Sequence, residues 1–107
     1  MLNQFIFVGS LKSIPELQET PNRIRYADIH LISKRKFKNS IGEFDFDEIV
    51  CRLWRAIAED VVDTCNDNSL IAVKGRIESN KVMDKNLNYI INYEFIAEKV
   101  SILNEEN

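Results

Sequence analysis

Only one stretch of this chain carries a helical apolar stripe, and it is short. Trp54, Ile57, Ala58, Val61, Val62 and Cys65 recur at i, i+3 and i+4 spacing, while Arg55, Glu59, Asp60 and Asp63 fill the other side. "NDNS" (66–69) then ends it with turn-forming residues. The other apolar segments read at a period of two or as short continuous runs. Such a chain must bury its core mostly between strands.

Residues 4–11, "QFIFVGSL", are apolar on both faces, Phe5 and Phe7 against Ile6 and Val8, which predicts a strand covered on both sides. Residues 12–22 contain Pro15 and Pro21 and read as a connection. In 23–33, "RIRYADIHLIS", Ala27, Ile29 and Leu31 share one parity, and Tyr26, Asp28 and His30 share the other. Residues 34–44 are expected to form a long loop with "NSIG" at its tip. In 45–54, "DFDEIVCRLW", Ile49, Cys51 and Leu53 make a core face. Phe46, Glu48, Val50, Arg52 and Trp54 make a mixed face unsuited to a closed core. After the helix, "LIAVKGRI" (70–77) is a strand and "ESNKVMDKNLN" a hairpin turning near 84–88. "YIINYEFIAEKVSIL" (89–103) is a long strand with Ile91, Tyr93, Phe95 and Ala97 on one face. Three strands, one helix and two strands is the plan of an OB-fold, an all-β five-stranded Greek-key barrel with a helix between strands 3 and 4. A small α+β sheet domain fits the same string.

At 107 residues the chain holds one domain, expected over 1–103 with a short tail at 104–107. No segment reaches the ~18 apolar residues of a membrane span. The N-terminus has no basic leader, so no signal peptide is expected. Two cysteines and one histidine cannot assemble a zinc cluster, so Cys51 and Cys65 are expected to be free buried thiols in a reducing cytoplasm.

His30 has no nucleophile or paired carboxylate near it in sequence and reads as a structural histidine. Gly9, Gly42 and Gly75 are too far apart for a phosphate loop. The acids of "EFDFDE" (43–48) lack calcium-loop spacing and read as a solvated or partner-facing edge. Neither an enzyme nor a cofactor is expected.

The charge distribution is more informative than the net charge of −3. Arg23, Arg25, Lys34, Arg35, Lys36 and Lys38 stand against one acid, Asp28, across that segment. "KRKFK" (34–38) combines cations that can follow phosphates with a flat ring on which any base can stack. Phe37 could equally tuck into the core. Trp54 also has two readings: the first residue of the helical stripe, or a stacking ring beside Arg52 on the mixed face. Phe46 is a weaker candidate because Asp45, Asp47 and Glu48 would repel a phosphate chain.

Six segments in order, "MLNQFIFVGSL", "PELQETP", "FKNSIGE", "VCRLWRAIAEDV", "NSLIAVKGRI" and "YEFIAEKVSIL", resemble the bacterial single-stranded DNA-binding protein family over nearly the whole chain. The resemblance implies an OB-fold and tight, sequence-tolerant binding of single-stranded DNA in replication, recombination or repair, in the cytoplasm at the nucleoid. It also implies a homotetramer, or else a dimer, in which the first strand forms part of the contact.

By position, Phe37 and Trp54 fall on stacking aromatics of that family. Glu48 stands where the family has tryptophan or phenylalanine, and Val82 where many members have an aromatic. Phe46, on the same face as Glu48, is the candidate substitute. Lys34, Arg35, Lys36, Lys38, Arg52, Arg55, Arg76 and Lys81 are the expected phosphate contacts. The family's linker and acidic, apolar-ended tip have no counterpart in "SILNEEN", so recruitment of replication enzymes through such a tail is doubtful. A different class also fits: a tailless OB-fold adaptor of a primosome or conjugation complex that mainly contacts protein. Glu48 and its neighbouring acids favour it slightly.

Overall fold

A computed structural model describes residues 1–103. The strands are β1 (Phe5–Leu11), β2 (Gln18–Glu19), β3 (Arg25–Lys38), β4 (Phe44–Trp54), β5 (Leu70–Met83) and β6 (Tyr89–Ile102), with α1 (Ala56–Thr64) between β4 and β5. The tail at 104–107 lies outside the described residues. No helix among the described residues is long and apolar enough to cross a membrane.

Five long strands close into a mixed barrel, as the OB-fold reading expects. β1 pairs antiparallel with β5 on one side and, through Ser10 and Leu11, with β3 on the other. β3 pairs with β4, and β5 with β6, both antiparallel. The circle is completed by a parallel ladder of only two residue pairs, Cys51 with Phe95 and Arg52 with Ile96. The two-residue β2 adds itself to the outer end of β3, inside the segment expected to be a plain connection.

Alternation decides what fills the barrel. Ala27, Ile29 and Leu31 from β3, and Cys51 and Leu53 from β4, are fully buried. Leu11, Ile71 and Val73 join them, and α1 adds Ala58 and Val61. Each large apolar side chain removed from water here contributes about 1.5–3 kcal/mol. Both cysteines are free and buried, and burial pushes the Cys51 thiol up to about 12.

Within the single chain β1 is covered on one face. Phe5 and Phe7 pack against the core, but Ile6 and Val8 on the outer face are 68% and 43% exposed. Gly75 marks a barrel corner. The β5–β6 register shifts between Lys74 and Gly75, and a Cβ at Gly75 would run into the Ile96 carbonyl.

α1 starts abruptly. Arg55 adopts a left-handed φ of 58° and gives its N–H to the Arg25 carbonyl, so β4 turns into the helix within one residue. Trp54 therefore ends β4 and is not part of the helical stripe.

Two hairpin arms extend the sheet. β3 and β4 run on to Lys38 and Phe44, and β5 and β6 to Met83 and Tyr89. The segment expected as a loop at 34–44 is thus mostly strand, with its turn confined to 39–43. Asn39 Oδ1 accepts the N–H groups of Ile41 and Glu43 at 3.1 and 3.0 Å, around Gly42 at φ 82°. Asp84 Oδ1 does the same for Asn86 and Asn88, both at 2.9 Å, with Leu87 at φ 64°.

Candidate nucleic-acid interface

The β3–β4 arm carries the basic run, and its geometry explains the change of sign along the sequence. Between Lys34 and Lys38 the register shifts, so the segment holding Arg35, Lys36 and Phe37 is longer than the strand opposite. Phe37 is 83% exposed, which excludes its tucking into the core. The acids that follow lie on the partner strand. Arg35 Nη2 donates to Asp47 Oδ1 at 2.8 Å, Nε adds bonds to the same carboxylate, and Asp45 lies 3.8 Å away. The Arg35 guanidinium holds the Asp47 carboxyl below its usual range. Lys34 and Lys38 flank the Phe44 ring, with their ammonium groups 4.3 and 5.7 Å from its centroid.

The outer face of β4 is a row of Phe46, Glu48, Val50, Arg52 and Trp54, facing Lys34, Ile32, His30, Asp28 and Tyr26 of β3. Phe46 is 60% exposed. At the far end Trp54 and Tyr26 pack at 5.2 Å between ring centroids. The Arg52 guanidinium lies 4.7 Å from the Tyr26 ring and 5.7 Å from that of Trp54. Arg52 is also held by Asp28, with Nε to Oδ1 at 2.8 Å and Nη2 to Oδ2 at 3.0 Å.

Glu48 is tied down as well. His30 Nδ1 lies 3.1 Å from its Oε2 and Lys12 Nζ 3.8 Å away, and these partners lower the Glu48 carboxyl below its ordinary value, the His30 hydrogen bond first. His30 is therefore an outward-facing partner of Glu48, although it belongs to a strand with a buried apolar face.

The remaining expected residues are dispersed. Arg76, on β5, donates to Glu78 at 2.7 Å and to Glu98 at 3.3 Å. Lys81, on the β5–β6 arm, lies 5.9 Å from the Tyr89 ring. Arg55 sits at the entrance to α1.

The ten expected residues thus fall into two electrostatic groups. Arg35, Arg52 and Arg76 are each neutralised by carboxylates of this chain. Lys34, Lys36, Lys38, Arg55 and Lys81 make no ion pair among the described residues. Phe37 and Trp54 are the two rings.

Tyr26, Phe44, Tyr89 and Tyr93 were missed as site candidates from sequence. Tyr26 had a parity signal, being in step with Asp28 and His30. Tyr93, 65% exposed, lines a cavity of about 180 Å³ with Asp28, Val50, Arg52, Glu94 and Phe95. The β3–β4 and β4–β6 pairings together bring those residues into one place.

Comparison with known proteins finds relatives over nearly the whole chain. The family model for the single-strand binding protein family matches residues 2–103. A single-stranded DNA-binding protein of Halalkalibacterium halodurans is 37% identical over 103 residues, covering 96% of this chain and 61% of that protein. Single-stranded DNA-binding protein A of Bacillus subtilis is 36% identical over the whole chain and 62% of its own length. Single-stranded DNA-binding protein 1 of Streptococcus pyogenes is 31% identical over the whole chain and 82% of its own length. The chain thus spans less than two thirds of the length of the first two of these relatives. With a closed five-stranded barrel capped by one helix and a family match over nearly its whole length, the chain belongs to the single-strand binding protein family.

Proposed function

We propose that this protein binds single-stranded DNA with little regard to sequence, stacking bases on Phe37 and Trp54 and neutralising phosphates with unpaired cations. The observation that carries the reading is Phe37, an exposed ring on a projecting arm, next to lysines that have no carboxylate partner among the described residues. Such a pairing of flat ring and free charge suits a ligand whose bases and phosphates alternate. The working cations are Lys34, Lys36, Lys38, Arg55 and Lys81. Arg35, Arg52 and Arg76 are already engaged and shape the surface instead. Three of the four acids that favoured a protein adaptor are engaged too: Asp45 and Asp47 by Arg35, and Glu48 by His30 and Lys12. That weakens the adaptor reading.

Self-association belongs to the same proposal. Ile6 and Val8 form an outward apolar pair on β1 that a second copy of the chain would cover. Sedimentation velocity of the wild type and of a double Ile6→Lys, Val8→Lys variant tests this. A monomeric wild type would overturn it.

The DNA-binding test uses Trp54, the sole tryptophan. Oligo-dT is expected to quench its fluorescence, and the apparent affinity to fall steeply with salt. Unchanged fluorescence together with no gel shift at low salt would overturn the reading.

A further inference from the structure

The cavity beside Tyr93 has features that sequence-tolerant binding does not require. It sits where β6 leaves the barrel, just beyond the two residue pairs that join it to β4. Val50 and Phe95 supply apolar surface, and Tyr93, an exposed aromatic residue, also lines the space. Three charged groups share the lining: the Arg52 guanidinium, the Asp28 carboxylate bound to it, and the Glu94 carboxylate. Glu94 makes no hydrogen bond or ion pair among the described residues. It is partly buried and lies close enough to the Arg52 guanidinium to act on it electrostatically.

Resting on the ssDNA-binding reading, we propose that this cavity is a nucleobase slot that selects guanine. A phosphate is the wrong ligand, because two carboxylates line the space. A base stacked on Tyr93 is the right shape, and the polar groups decide which base. A carboxylate accepts two hydrogen bonds side by side. Among the four bases only guanine presents two adjacent donors, N1–H and the N2 amino group, for Glu94 to receive. Guanine also places the O6 acceptor next to N1–H, where an Arg52 N–H not used by Asp28 can donate. Adenine and cytosine each offer a single amino group beside an acceptor, and thymine a single N–H between two carbonyls. The slot therefore adds hydrogen-bond readout to a surface that otherwise binds by stacking and charge.

The test compares three oligonucleotides of equal length: oligo-dT, the same strand with several thymines replaced by guanine, and the same strand with inosine at those positions. Inosine keeps N1–H and O6 and lacks only the 2-amino group. Wild type is expected to bind the guanine strand about five-fold or more tighter than the inosine strand. Glu94→Gln is expected to bring that ratio close to one while still binding oligo-dT, and a thermal melt like that of wild type shows that the variant is folded. Equal binding of the guanine and inosine strands by a wild type that binds oligo-dT overturns the slot alone. A guanine preference that survives in Glu94→Gln overturns the assignment to this cavity. Failure to bind any of the three overturns the ssDNA reading and the slot with it.

Discussion

Asp28 and Arg52 stand directly opposite one another on β3 and β4 and join through two hydrogen bonds, at 2.8 and 3.0 Å. Both side chains are about 30% exposed, at the edge of the Tyr26–Trp54 aromatic pair. Asp28 thus occupies the position a phosphate would take on Arg52. Replacing it with asparagine removes the charge and keeps the shape. Asp28→Asn is expected to bind oligo-dT more tightly at low salt and to steepen the log–log salt slope by about 0.7. The stability cost should be about 1 kcal/mol or less. Salt-titrated binding curves and urea unfolding check the two halves.

The division of the cations fixes a number for the wild type. If only the five expected contacts without an ion pair among the described residues engage phosphates, the salt slope is roughly −3.5, whereas all eight expected phosphate contacts would give roughly −5.6. A binding series over a range of salt concentrations separates the two, and the shallower slope is expected.

Phe37 and Trp54 should respond differently to truncation. Phe37→Ala is expected to weaken ssDNA binding by about 1–3 kcal/mol and to leave thermal stability unchanged, because the ring is 83% exposed. Trp54→Ala should weaken binding and also lower stability, since it strips the Tyr26 ring and the Arg52 guanidinium of a packing partner. Thermal melts beside binding curves test the contrast. Two variants that bind like wild type would remove both rings from the site.

Acid should loosen the outer face. The Glu48 and Asp47 carboxyls are held below their ordinary values of 4.5 and 3.8, chiefly by hydrogen bonds from His30 and Arg35 respectively. A carboxyl depressed in the folded state contributes stability above its unfolded pKa and loses it as pH falls through the folded value. Melting temperature is therefore expected to drop on the acid side of 4.5, and a Glu48→Gln, Asp47→Asn double variant should show a shallower drop. Melts across the acid range provide the measurement.

Leu87 holds a left-handed φ of 64° at the tip of the β5–β6 arm, with 75% of its surface exposed. Leucine is strained there, and asparagine tolerates the conformation. Leu87→Asn is expected to raise stability by about 0.5–1 kcal/mol, measurable by urea unfolding.

The barrel was legible in the sequence because its signals are local. Ala27, Ile29 and Leu31 alternate within one strand, and the helical stripe from Ile57 to Cys65 lies in one run. What needed the structure was register. "KRKFK" read as loop because exposed cations on both faces erase the alternation that marks a strand, although β3 continues through it. Arg35 with Asp47 and Asp28 with Arg52 are separated by 12 and 24 residues, and only the β3–β4 pairing makes them neighbours. Similarity to the family placed Phe37, Glu48 and Trp54 at aromatic positions. It gave no indication that Arg35, Arg52 and Arg76 would be neutralised from within. Tyr93 was noted for its shared face with Ile91 and Phe95, but its proximity to Arg52 depends on a pairing between strands that are far apart in the chain.

The joint between β4 and β6 makes the barrel a cuff with a very short clasp. Three of the five seams run long; this one is held by two parallel residue pairs, and the β1–β3 seam by two antiparallel pairs plus the Lys12 N–H to His30 carbonyl bond. Breathing should begin there, so the amides of Phe95 and Ile96 are the natural reporters of opening. The Tyr93 cavity lies against the same clasp and is walled by both strands. A base seated in it would bridge the cuff's two free edges, and occupancy would then be felt as a tightening of the whole ring.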